Sequence, residues 1–459
     1  MKRSIVFLLN ELFLVVFWAL CPISKGSADT TVWRVNEALQ LPGWVSLSGQ
    51  HRTRFETLDG QYRGARAGGD QVFVFRTNIL TELNFKQLKF AAEVMDSRAT
   101  LADISTPLTT SVVNPLELLQ AYIDIPVSNL FVTGSSSHLR GGRITMDVGS
   151  RRLVARNRFR NTINAFTGVD WEWTGPGKNR LRAFYTFPIQ RLVSGNILDN
   201  NPKFDREDYK VRFWGVYYAP AKLPWGDKGE IYLFGLNEND LPDRSTRNRE
   251  LYTLGFRLYR QPAREEFDYQ IESVFQIGES RASTTATTDL DHFAHFQHVE
   301  FGYSFDAQWS PRLLLQYDYA SGDDNRMDSD NDRFDTLFGA RRFDFGPTSI
   351  YGPFARANIS TPGLRLKVKP GANLSTFLAL RGFWLASDND AWTTAQISNP
   401  AGFSDNYIAT QIEARLRWQL FPKNVRIEAG VAHLFAGDLM DDAGKGDATY
   451  LYSQMVFWF

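Results

Sequence analysis

The sequence predicts an all-β protein, a transmembrane antiparallel up-and-down β-barrel of about 18 strands. Three observations point there: the last residues alternate strictly, such runs recur along the chain, and the gaps between them alternate long and short. From Ala448 to Phe459, the residues Phe459, Phe457, Met455 and Leu451 share one parity, broken only by Ser453. The other parity holds Trp458, Val456, Gln454, Tyr452 and Tyr450. Period-two alternation of this length marks a strand with a different solvent on each face. A half-buried strand of a soluble sheet also alternates, so the rest of the chain must decide. The terminal Phe459 is expected to address the chain to the barrel-assembly machinery.

The beginning of the chain favours the membrane. Lys2 and Arg3 precede an apolar run that is strongest from Leu12 to Cys21, interrupted earlier by Asn10 and Glu11, and Gly26-Ser27-Ala28 offers a small-residue cleavage site. This is the layout of a secretory signal peptide over 1–28, leaving 29–459 as the barrel. Leu20 is too large for lipoprotein processing at Cys21, and this single cysteine would leave with the leader. A mature chain without thiols suits an oxidising periplasm. No later stretch reaches the length of a transmembrane helix. A charged fraction of 22% fits a barrel, in which only alternate strand residues meet lipid. Removing Lys2, Arg3, Lys25 and Glu11 leaves 48 basic and 50 acidic residues, a balance that argues against nucleic acid as a partner.

Alternating runs fall at 44–57, 71–83, 87–96, 116–126, 139–149, 163–173, 179–187, 208–218, 229–237, 249–260, 267–278, 295–308, 312–319, 362–369, 373–385, 407–420, 424–435 and 448–459. Long connections such as Leu58–Asp70, Ser97–Pro115, Pro188–Glu207 and Ala386–Asn406 alternate with short ones. Trp309-Ser310-Pro311, Pro370-Gly371-Ala372 and Phe421-Pro422-Lys423 are typical tight turns. Long loops at one rim and short turns at the other are the rhythm of an outer-membrane barrel. The longest connection, Ala320–Thr361, is the best candidate for folding into the mouth.

The alternation also sorts faces. In 407–420, Ile408, Thr410, Ile412, Ala414, Leu416 and Trp418 oppose Gln411, Glu413, Arg415, Arg417 and Gln419. Arg or Lys facing lipid at mid-bilayer costs about 2–4 kcal/mol, so the charged face must line a lumen. With eighteen strands that lumen is expected to be an aqueous channel. Inward parity collects Arg52, Arg54, Arg76, Arg143, Arg182, Arg212, Arg257, Lys367, Arg381, Arg415, Arg417 and Arg426. The acids on that face are Glu56, Glu82, Glu93, Asp147, Glu272, Asp318, Glu413 and Glu428. Some arginines would be held by these carboxylates and others left for a passing anion, since rings of basic side chains select anions. The same mixture could instead brace and hydrate a non-selective pore.

From Leu139 to Phe459 the sequence resembles the alginate export family of outer-membrane porins. The resemblance rests on Gly142-Arg143, Arg152-Leu153-Val154, Arg160-Asn161 and Phe166-x-Gly168-Val169. It continues with Ala320-Ser321-Gly322-Asp323-Asp324, Phe334-Asp335 and Phe338, then with the run from Phe383 to Asp390 and that from Glu428 to Asp438. It implies an eighteen-stranded porin passing an anionic uronate polysaccharide outward, with Arg143 and Arg152 lining the pore. The chain has Ile144-Thr145 where the family commonly has Gln-Glu, and Ser150-Arg151 where it has Gly-Asp before Arg-Leu.

The substrate-binding, pore-lining set expected from these readings is Arg76, Arg143, Arg152, Arg182, Arg212, Arg257, Arg381, Glu413, Arg415, Arg417 and Arg426. The expected partners are outer-membrane lipid, an anionic polysaccharide such as alginate, and periplasmic secretion proteins. A general or oligosaccharide-uptake porin is the alternative. The acid-rich stretch from Asp323 to Asp335 lacks the turn glycine of an EF-hand loop and reads as a solvated external loop. His292, His295 and His298 would converge on a helix but have no acidic ligands at suitable spacing. No cofactor, metal or catalytic constellation is expected, and an outer-membrane enzyme would need a Ser-His pair that no motif announces.

Overall fold

The computed structural model describes residues 32–241 and 244–459, so the expected leader lies outside the described residues. Eighteen antiparallel strands form the wall: β1 (Val45–Asp59), β2 (Asp70–Asn84), β3 (Lys89–Thr100), β4 (Asn114–Ser128), β5 (Ser136–Ile144), β6 (Phe166–Thr174), β7 (Arg180–Gln190), β8 (Val211–Ala219), β9 (Lys228–Glu238), β10 (Glu250–Arg260), β11 (Phe267–Ser280), β12 (Leu290–Ser304), β13 (Arg312–Ala320), β14 (Ile359–Gly371), β15 (Leu374–Trp384), β16 (Tyr407–Phe421), β17 (Val425–Ala436) and β18 (Ala448–Trp458). Each pairs with the next, and β18 pairs back onto β1 from Gln50↔Trp458 to Asp59↔Thr449, so the sheet has no free edge. Reciprocal backbone hydrogen bonds between Gly49 and Phe459, of 2.9 and 3.0 Å, extend that seam.

The two faces are chemically distinct. Ile79, Val94, Leu233, Leu254, Leu315, Leu364 and Leu380 stand exposed on the outside, where lipid would cover them. Arg52, Arg54, Glu56, Glu272, Asp318 and Glu413 are buried on the inside. Connections after odd-numbered strands are the longer ones, and those after even-numbered strands are tight turns. Three short helices are not part of the wall: α1 (Val35–Ala38) before it, α2 (Arg342–Phe345) in the loop inside the lumen, and α3 (Asp438–Asp442) in the β17–β18 connection.

Two strands differ from expectation. β5 ends at Ile144 rather than 149, because the chain there turns into the lumen; Met146 and Val148 are buried inside the barrel. An extended segment packed against the inner wall has two unlike faces, and so it keeps the alternation of a strand. β12 begins at Leu290, five residues before the run at 295–308.

The interior is not the open bore expected of eighteen strands. Loops 145–165 and 321–358 fold inward and fill the half nearest the long-loop rim with an apolar core. Phe338 meets Phe166 and Phe213 edge-on, while Phe354 stacks on Phe383 at 3.5 Å. Tyr62 stacks on Trp392 and meets Tyr351 edge-on, and Tyr351 stacks on Tyr450. Among the described residues, a large cavity of about 910 Å3 remains in the half nearest the short turns.

Candidate functional site: a two-loop crossbar above a basic vestibule

Wall arginines fix the first loop by binding its backbone. Arg52 donates to the carbonyls of Arg158 and Arg160, at 2.8 and 3.2 Å, and to Asn161 Oδ1 at 2.8 Å. Arg54 donates to the Phe159 carbonyl at 2.6 Å and to Glu56, and Arg76 donates to the Arg160 carbonyl at 3.1 Å. Asn161 is fully buried and returns hydrogen bonds to the carbonyls of Phe75 and Val112. A loop in a barrel interior must satisfy its carbonyls somewhere; here the donors are long guanidinium side chains from β1 and β2.

The second loop is held the same way from the opposite wall. Arg381 on β15 donates to the Asp344 carbonyl at 2.7 Å and also binds Asp318. Arg365 on β14 donates to the Phe343 carbonyl at 3.0 Å. The loops then join to each other. A parallel bridge links Val154 to Phe338, and the Phe338 N–H donates to the Leu153 carbonyl at 2.9 Å. Arg152 binds Asp344 through two bonds of 3.0 Å and Glu272 on β11 at 2.7 Å. Arg356 reaches the same Asp344 and the Arg152 carbonyl. The result is a crossbar from β1–β2 to β14–β15.

Burial alone would raise the Asp344 carboxyl, but Arg152 and Arg356 hold it far below the usual carboxylate range. Burial opposes the charge on Arg152 too, and Asp344 and Glu272 outweigh it, so that guanidinium is strengthened as a cation. The opposite holds for Arg341, which burial pulls down to about 10 with no carboxylate to offset it.

Below the crossbar lies the vestibule. Its lining among the described residues includes twelve arginines and Lys367, against two carboxylate side chains, Glu93 and Glu428. Loop 145–165 supplies Arg151, Arg156, Arg158 and Arg160, and the wall supplies Arg76, Arg365, Arg415, Arg417 and Arg426. Several of these are paired: Arg156 with Glu93, Arg417 with Glu428 at 2.7 Å, and Arg342 with Glu413 at 2.6 Å. Arg76, Arg365, Arg415 and Arg426 each keep a buried Nε without a hydrogen-bond partner among the described residues. Arg415 instead lies over Phe377 at 4.7 Å, and Arg426 over Trp458 at 4.9 Å.

The residues singled out from the sequence therefore divide. Arg76, Arg415, Arg417 and Arg426 line the vestibule, and Glu413 sits at its roof bound to Arg342. Arg182 and Arg257 face inward but are committed to Asp170 and to Glu230 with Gln270. Arg381 and Arg152 are sealed in the crossbar, so Arg152 is a tie between loops and wall rather than part of an open lining.

Arg143 and Arg212 are corrections. Arg143 pairs in register with Thr167, on the outward parity, and its guanidinium is taken by Glu117 and Glu207 at 2.6 and 3.0 Å. Arg212 is exposed on the outer face of β8, between buried Val211 and Phe213. The reason is the apolar core: where Phe213 packs against Phe166 and Phe338, the inside is the greasy side and the charge turns outward.

Three features escaped the sequence reading. Apart from Arg152, the loop-borne cations were missed, although five arginines within 151–160 were visible. So was Asp344, which stands apart from the acid-rich stretch of its loop that ends at Asp335. The histidines sit on strand β12, where His292 and His298 face inward; His295 lies outward against Tyr319. His298, Asp318 and Asp344 come close enough to hold a metal ion. Arg152, Arg356 and Arg381 already occupy those carboxylates, so the set is an ion-pair cluster.

Known structures share the architecture. OpdK of Pseudomonas aeruginosa, solved with vanillate, is 11% identical and superposes with a TM-score of 0.57 over 90% of this chain and 99% of its own. OccK9 (OpdG) of the same organism gives 0.61 at 12% identity, over 90% and 98%. OccAB1 of Acinetobacter baumannii gives 0.56 at 13%, over 90% and 96%. At such identities the likeness establishes the fold alone. No curated protein sequence matches the chain. The family model for alginate export matches residues 43–454, nearly the whole described barrel, and the chain accordingly belongs to the alginate export family of outer-membrane β-barrels.

Proposed function

We propose that this outer-membrane channel passes an anionic polysaccharide, a uronate polymer such as alginate, with the vestibule as its selectivity element. The observation that carries this reading is the excess of cations around the 910 Å3 cavity, several without a carboxylate of their own. A guanidinium presents a planar fork to a carboxylate and stays charged at every physiological pH. A polymer with one carboxylate per sugar would exchange from one such fork to the next. The crossbar stands across the route, so passage requires loop 321–358 to move.

A second reading is favoured by one observation. The outer half of the lumen is packed, and OpdK, of the same fold, was solved with the small carboxylate vanillate. Passage of small organic acids would need less loop movement than passage of a polymer.

Planar-bilayer recording separates the readings. A uronate channel prefers Cl⁻ over K⁺ in a salt gradient, and short mannuronate oligomers block it more weakly as salt rises, because charge contacts are screened. Block by vanillate-sized acids without block by the oligomers supports the second reading. Cation preference, or equal block by neutral and acidic sugars, refutes both.

A further inference from the structure

A second cavity, of about 490 Å3, opens at the short-turn rim. It shares Arg34, Arg426 and Trp458 with the vestibule, so the two spaces adjoin. Its volume lies in the roughly 300–1,000 Å3 range of small-ligand sites. Among the described residues no carboxylate side chain lines it and three cations do, which favours an anionic ligand.

The chain before the barrel builds one wall of it. The Trp33 N–H donates to Asn424 Oδ1 at 3.0 Å, and Asn424 Nδ2 donates back to the Trp33 carbonyl at 2.8 Å. The Trp33 ring stacks on Phe457 at 5.9 Å. Farther on, Asn36 Oδ1 accepts the Leu47 N–H at 2.6 Å, tying α1 to β1. Arg34 is thereby pinned between two anchors, with its guanidinium donating to the Trp33 carbonyl at 2.9 Å. Opposite stand Lys423 in the β16–β17 turn and Arg426 on β17. Gln419 and Asn373 add amides, and the buried Gln419 Oε1 and Arg426 Nε lack partners among the described residues. Trp458 provides an aromatic surface.

Three cations, two amides and an indole in one recess match one chemical class. A uronate pyranose offers a carboxylate to the guanidinium groups, hydroxyls to the amides and an apolar ring face to the tryptophan. Resting on the reading that the channel carries a uronate polymer, we propose that Arg34, Lys423, Arg426 and Trp458 form a loading subsite that holds one uronate residue at the periplasmic mouth. The strap carrying Arg34 is then part of the transport path, although it lies outside the barrel strands.

The test uses oriented channels in planar bilayers, with mannuronate oligomers added to one face at a time. In the parent, block is stronger from the short-turn face. In the double variant Arg34→Gln/Lys423→Gln, the blocking concentration from that face rises about tenfold or more, the weight of a lost charged hydrogen bond. Block from the long-loop face weakens far less than block from the short-turn face, because the deeper arginines remain. Both residues lie in the strap and a turn, and heat-modifiable migration confirms that the barrel assembles. Unchanged block from both faces in a correctly assembled variant overturns the subsite while leaving the channel reading intact. A parent that prefers K⁺ and ignores the oligomers overturns the channel reading and removes the ligand the subsite was proposed for.

Discussion

In the half of the lumen nearest the long loops, Arg152, Arg356 and Arg381 lie against Glu272, Asp344 and Asp318. In the half nearest the short turns, Arg415 and Arg426 face the cavity of about 910 Å3 with no carboxylate bound. The same side chain thus does two jobs, and access to water separates them. Where loops exclude solvent, an unpaired guanidinium would cost several kcal/mol, so each is matched to an acid or to backbone carbonyls. Where solvent reaches, an unmatched guanidinium is tolerable and remains available to a passing anion. In the crossbar each of these guanidiniums is matched; in the vestibule some are paired, as Arg417 is with Glu428, while Arg415 and Arg426 are not.

The strongest attack on this contrast is Asp344→Ala. It leaves Arg356 without an acid and Arg152 with Glu272 alone in a dry site, and removing one partner of a buried pair costs about 3–5 kcal/mol. Loop 321–358 is expected to leave the lumen while the strands persist, since Asp344 belongs to no strand. Single-channel conductance should rise, and protease should cut the released loop. Unchanged conductance would mean that the crossbar does not obstruct current. In the parent the tie should also withstand acid. A carboxyl whose folded pKa is depressed contributes fully above its unfolded value near 4, and that contribution fades only as pH falls through the folded value. Conductance should therefore be flat from pH 5 to 8 as far as this tie is concerned.

Next in size is the double replacement Arg415→Gln/Arg426→Gln in the vestibule. Neither residue has a carboxylate partner, so folding stability should change by less than about 1 kcal/mol. Anion preference should fall severalfold, with a shifted reversal potential as the readout. By contrast, Arg417→Gln would release Glu428 into the same space and push selectivity further than the loss of one cation alone. If Arg415 and Arg426 prove essential for assembly, the division between structural and available arginines fails.

Much of the wall was legible in the sequence, because two solvents impose two faces. The runs at 312–319, 407–420 and 424–435 match β13, β16 and β17 to within a residue or so at each end. Legibility stopped where the inner solvent ceased to be water. At β8 the interior is aromatic, so the parity that put Arg212 inside was inverted. At 145–149 alternation continued past the end of the strand, because Met146 and Val148 pack inside the barrel. The crossbar was legible only in outline: the length of Ala320–Thr361 flagged a loop able to enter the mouth. The partnership of Arg152 with Asp344 spans 192 positions of sequence and leaves no local pattern.

The smallest expected effect lies at the outer rim, where pairing is incomplete. Asp323 is buried at the root of loop 321–358, beside Asp390. Arg333 serves Asp390, at 2.7 Å, rather than Asp323. Burial, and then the Asp390 charge, push the Asp323 carboxyl up to about 6. A raised carboxyl pKa means that the folded junction prefers the protonated form. Its stability is therefore greatest below the unfolded value near 4 and declines as pH rises toward 6, staying at the lower level above that. Hydrogen exchange over 321–335, corrected for intrinsic rates, should show less protection at pH 7 than at pH 5. Asp323→Asn removes the charge without changing the shape, so its protection should be the same at both pH values and exceed the parent's most at pH 7. An equal pH response in the variant would assign the effect to another group.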